Sequence, residues 1–153
     1  MADDKPGVNA AVIHLEQIGY SDVRIIHQPV DIRAEKDGEI YWIEVKYSET
    51  ENGKMFGAAT LTEWECALEN PNHFFFLMAN KPGGEESDKL WRFVFITPSQ
   101  FQPFSTVPPF KIFFNYDINN PNKIPTRRSA IPGTTEVLQA LIRIFGSMKG
   151  GDE

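Results

Sequence analysis

Along the first hundred positions apolar residues recur with two periods, and the change from one to the other marks the elements. Val8, Val12, Leu15 and Ile18 form one stripe of a helix over 8–18, which Gly19 stops at its C-terminal end. From Asp22 the pattern turns extended. Val23, Ile25 and Ile26 predict a short strand over 22–27, and two more strands follow over 30–35 and 39–47, joined by Asp37-Gly38, a strong hairpin signal. Thr62-Glu63-Trp64-Glu65 has the form of a capping box, and Leu61, Trp64 and Leu68 give it an apolar stripe. A second helix is therefore expected over about 63–69, ended by Asn70-Pro71.

His73–Ala79 and Leu90–Thr97 are apolar on both faces, the pattern of strands in the middle of a sheet covered from above and below. The polar stretch 81–88 is the loop between them. Lys111–Tyr116 is expected to add an edge strand, 117–133 a loop rich in Pro and Asn, and Thr135-Glu136 to open a last helix. Val137, Leu138, Leu141, Ile142 and Phe145 of that helix would face a core before Gly146. The order α-β-β-β-α-β-β-(β)-α predicts an α/β sandwich around a mixed sheet, one domain over 1–153 with its core at about 8–97 and an extension over 98–153.

The chain has 153 residues, of which 41% are hydrophobic, enough for one core and too few for a multidomain assembly. The longest apolar runs, Phe74–Ala79 and Phe93–Ile96, fall far short of the ~20 residues of a membrane span, and no basic-then-apolar signal opens the chain. Cys66, the only cysteine, excludes an internal disulfide and any multi-cysteine zinc site. These features predict a soluble cytoplasmic protein without a membrane partner. The net charge of −6 argues against coating nucleic acid by bulk electrostatics. It is unevenly spread: residues 1–100 hold 9 Lys/Arg against 17 Asp/Glu, residues 101–153 hold 6 against 4. The densest basic stretch is Lys123–Ser129, where Arg127 and Arg128 are either phosphate contacts or solvated loop charge.

Chemistry concentrates in the hairpin. With Asp37-Gly38 as the loop of a type I′ turn, Lys36 opposes Glu39, Ile32 opposes Ile43, and Asp31 falls opposite Glu44. Val30, Ile32, Ala34, Tyr41, Ile43, Val45 and Tyr47 then share the core face, and Asp31, Arg33, Trp42, Glu44, Lys46 and Ser48 share the other. Two carboxylates opposed across a sheet repel and call for a cation. A divalent metal suits them: the Asp31 and Glu44 oxygens, the Val45 carbonyl and waters make a hard-oxygen set of the kind magnesium takes. Lys46 on the same face would orient an attacking water or neutralise developing phosphorane charge. The plainer alternative is the wet face of a half-exposed hairpin, softened by Lys46 and Arg33. Trp42 on that face would stack on a base or simply pack. His14, His27 and His73 show no ligand spacing.

Asp31 followed by Glu44-Val45-Lys46 on a hairpin, behind a helix ending Ile18-Gly19-Tyr20, resembles the PD-(D/E)xK nuclease superfamily, with its restriction-endonuclease-like fold. Val30-Asp31-Ile32, Tyr41–Lys46, Leu61–Glu65 and Phe74–Leu77 are similar to the Protein NO VEIN-type C-terminal domain and its Mrr-like relatives, over about residues 8–97. The resemblance implies Asp31 and Glu44 as ligands of Mg2+ (or Mn2+) and Lys46 as the catalytic lysine. It also implies hydrolysis of DNA, with RNA as the second candidate, to 5′-phosphate products in a restriction, defence or DNA-processing setting, as a homodimer or within a larger complex. Two positions depart from the family. Its first-helix Glu, about two turns before Gly-Tyr, is replaced by Asn9, Ala10 and Ala11, leaving Glu16 as the helix's only carboxylate and third candidate ligand. Ser48 stands where relatives often carry Gln, a position facing nucleic acid together with Arg33 and Trp42. The alternative function is a catalytically silent nuclease-like module that binds a partner protein or nucleic acid.

Overall fold

The computed structural model describes residues 5–107, 114–125 and 133–146. The chain divides into two compact units, 1–106 and 107–153.

The first unit runs α1 (Pro6–Gln17), β1 (Ser21–Ile25), β2 (Ile32–Lys36), β3 (Glu39–Ser48), α2 (Leu61–Glu69), β4 (Phe74–Asn80), β5 (Arg92–Ile96) and the short helix α3 (Pro98–Phe101), which continues into a 3-10 turn over Gln102–Phe104. The five strands form one mixed sheet in the order β1-β2-β3-β4-β5. β1, β2 and β3 are antiparallel neighbours, β4 lies parallel to β3, and β5 is antiparallel to β4. The single parallel pairing follows from α2, since parallel neighbours need a crossover and a helix supplies it.

The hairpin register is the expected one: Ile32 pairs with Ile43, Ala34 with Tyr41 and Lys36 with Glu39. Asp37 and Gly38 take φ values of 53° and 79°, the positive pair a type I′ turn requires. Alternation on β3 then divides two cores. Ile32, Ala34, Ile43, Val45 and Leu77 pack under Val8, Ala11 and Leu15 of α1. On the opposite face Phe74 and Phe76 pack with Cys66 and Ala67 of α2, joined by Trp42, Trp64 and Phe101. The sheet is thus covered on both faces, which removes the wet-face reading of the hairpin.

Three expectations need correcting. Val30 belongs to the α2-side core and not to the face of Ile32, because the ladder ends at Ile32 and residues 28–31 bend, so period-two alternation does not reach it. β5 is an edge strand of this sheet and not a middle one: Phe93 and Phe95 are half-buried on the α1 side, but Val94 is 57% exposed. α2 starts at Leu61 with Thr60 as its cap, two residues before the expected box.

In the second unit, α4 spans Thr135–Gly146 as expected. Val137, Leu138 and Leu141 are half-buried, whereas Ile142 is 56% exposed. Of the expected edge strand, 111–113 lie outside the described residues, and Phe114–Tyr116 are not in a strand. Among the described residues, no helix is long and apolar enough to cross a membrane.

Candidate functional site

The site forms where β2 and β3 part. Beyond Ile32 and Ile43 the two strands stop exchanging backbone bonds and exchange side chains instead: the Asp31 amide donates to Glu44 Oε2 at 3.1 Å, and the Val45 amide donates to Asp31 Oδ2 at 3.0 Å. Each carboxylate is thereby fixed by the other strand's backbone. Asp31 and Glu44 are only 6% and 5% exposed, a depth at which an ionised carboxylate must be compensated. Compensation comes from amides and two lysines. Lys5, just before α1, places Nζ 3.6 Å from Asp31 Oδ1, and Lys46 places Nζ 3.2 Å from Glu44 Oε1.

A third carboxylate enters from α2. Glu63 closes the helix's capping box, accepting from the Thr60 amide at 2.6 Å while the Thr60 hydroxyl accepts from the Glu63 amide at 3.3 Å. The same carboxylate accepts from Lys46 Nζ at 3.2 and 3.3 Å. Lys46 is therefore held between Glu44 on its own strand and Glu63 on the helix above. Asp31, Glu44 and Glu63, with Lys5, His27, Thr60 and Thr62, line one polar cleft of about 300 Å³.

Burial, hydrogen bonding with Glu63 and the nearby Asp31 charge push the Glu44 carboxyl up to about 8, against the pull of Lys46. Burial also raises Glu63, but hydrogen bonds from Glu44 and the Thr60 amide, together with the Lys46 charge, outweigh it and hold that carboxyl below its ordinary range.

The donor set suits a hard divalent cation. Asp31 and Glu44 offer carboxylate oxygens into one cleft, and the Val45 carbonyl leaves the strand on the same edge as the amide that reaches Asp31. Among the described residues, no group of three or more His, Cys, Asp or Glu side chains is arranged to hold a metal ion, and Glu44 Oε1 lies 3.2 Å from Lys46 Nζ.

The structure brings Asp31, Glu44 and Lys46 together and leaves the other candidates elsewhere. Glu16 is exposed on α1 and does not line the cleft, since it sits off the buried stripe of Val8, Ala11 and Leu15. Arg33 is engaged by Asp22 at 2.9 Å and Glu35 at 3.0 Å. Trp42 packs against the α2-side core and lines a neighbouring groove of about 170 Å³ with Thr62, Glu65 and Cys66. Ser48 anchors the end of β3, its hydroxyl taking a 2.8 Å bond from the Asn80 amide group. Arg127 and Arg128 lie outside the described residues. Glu63, His27, Lys5 and Thr60 are among the cleft residues that sequence reasoning missed. Glu63 was findable: Thr60-Leu61-Thr62-Glu63 has the same capping spacing as the overlapping Thr62–Glu65, and only burial separates the two. Comparison with protein-family models, with curated proteins and with solved structures found no match for this chain.

Proposed function

We propose that this protein is a metal-dependent nuclease of the PD-(D/E)xK type, with Asp31, Glu44 and Lys46 as its catalytic set and DNA as its substrate. The observation that carries this reading is the Asp31/Glu44 exchange: two buried carboxylates locked by each other's backbone in the lining of one polar cleft, with a lysine bonded to one of them. The strand order, with an antiparallel three-strand meander followed by a helix and a parallel strand, is consistent with it.

Asp31, Glu44 and the Val45 carbonyl would hold Mg2+ or Mn2+, which when bound supplies Lewis-acid polarisation and a more acidic water. The protein's own contribution is positional. The Val45 and Asp31 amides fix the carboxylates, so little reorganisation is needed as charge develops. Lys46, once released from Glu44, points a three-donor ammonium at the scissile phosphate and at the attacking water. Water forms the new bond to phosphorus and releases its proton to solvent, the bond to the 3′ oxygen breaks as that oxygen takes up a proton from solvent, and the phosphate stays on the 5′ end.

Lys46→Ala tests the assignment. Cleavage of plasmid DNA with Mg2+ or Mn2+ should fall about 10²- to 10³-fold, the usual loss for one electrostatic donor, while calorimetry shows metal affinity undiminished. Equal cleavage by both proteins would remove Lys46 from the mechanism. Absence of cleavage by the unaltered protein on DNA and RNA would favour the silent binding module.

A further inference from the structure

We infer that Glu63 is the positioning residue for Lys46, tying the lysine's location to the first turn of α2. This rests on the nuclease reading above and names a residue that the Asp/Glu/Lys pattern does not contain. Lys46 has two carboxyl anchors, and they differ in what else they must do. Glu44 is a proposed metal ligand, so its contact with Lys46 at 3.2 Å is the one that cation binding gives up. Glu63 is already committed to the helix. Its Oε2 takes the Thr60 amide at 2.6 Å, which fixes the carboxylate's orientation independently of the lysine, and both its oxygens lie within 3.3 Å of Nζ.

Burial makes the anchor effective. The Glu63 side chain is 12% exposed and the Lys46 side chain 21%, so the pair is screened far less than a surface ion pair. A flexible four-carbon stem without such an anchor would sample several rotamers once Glu44 turned to a cation. With it, the ammonium stays on the carboxylate face as the other half of the site reorganises.

Glu63→Gln is the clean variant, because glutamine at this position still accepts from the Thr60 amide in a capping box but cannot offer Lys46 a negative charge. Thr60→Ala is its counterpart: it removes the hydroxyl half of the box and leaves the Glu63 carboxylate in place. Two measurements read the outcome, the rate at which an amine-acylating reagent modifies Lys46, followed by mass spectrometry, and kcat against KM for DNA cleavage. Glu63→Gln should speed Lys46 modification about fivefold or more and lower kcat about 10-fold or more, with KM within about twofold. Thr60→Ala should lower Tm but leave the modification rate of Lys46 unchanged.

An unchanged modification rate in Glu63→Gln overturns the inference, as does wild-type kcat alongside faster modification. If the unaltered protein cleaves nothing, the nuclease reading fails by itself, and the modification rates still decide whether Glu63 fixes Lys46.

Discussion

Asp31, Glu44 and Lys46 could be placed together from sequence because one dipeptide, Asp37-Gly38, sets the register of the whole hairpin. The protonation of Glu44 could not, because it depends on how deeply the fold buries that carboxyl. Glu44 at about 8, against an ordinary 4.5, holds a proton in the folded protein that the unfolded chain releases between those values. The folded state therefore binds more protons across that window, and the stability this gives is full below about pH 4.5 and is lost as pH rises toward 8. The effect is on the order of a few kcal/mol. Glu44→Gln cannot ionise and escapes the loss. In EDTA its Tm should match that of the unaltered protein at pH 5 and exceed it by several degrees at pH 8. Matching curves at both values would show that Glu44 is ionised in the folded protein.

The elements were legible where a local rule decides them and obscure where the tertiary fold does. α1, the hairpin, β4 and α4 follow from periodicity and caps. α3 was missed, although Thr97-Pro98-Ser99-Gln100 carries a capping box with proline at the first helical position; four residues are too few for periodicity to register. That β5 is an edge strand is a property of the sheet and leaves little trace in five residues. Packing of α1 on β3 leaves a clear test. Gly7 is buried, and a Cβ there would collide with the Tyr47 ring. Gly7→Ala should destabilise by about 1–3 kcal/mol, read as a lower denaturation midpoint. Combining it with Tyr47→Ala should recover part of the loss in a double-mutant cycle, whereas simple additivity would show that the two residues do not meet.

On the scale of the molecule, charge limits how the site meets a polyanion. With a net −6 overall and an acidic first hundred residues, approach depends on local cations. Arg127→Ala with Arg128→Ala should weaken DNA binding for all sequences and flatten the slope of log affinity against log salt by up to ~2 units; an unchanged slope would show that these arginines do not contact the phosphates. Binding is best measured with Ca2+ in place of Mg2+, so that affinity is read without turnover. The most direct measurement of the central claim is the single-turnover cleavage rate of plasmid DNA at pH 8 with Mn2+, for the unaltered protein beside Asp31→Asn. That variant keeps the side chain's shape and an oxygen for the Val45 amide, and removes the charge. The account predicts metal-dependent cleavage to 5′-phosphate ends that is lost in Asp31→Asn and in EDTA; equal rates for the two proteins, or cleavage that persists in EDTA, would contradict it.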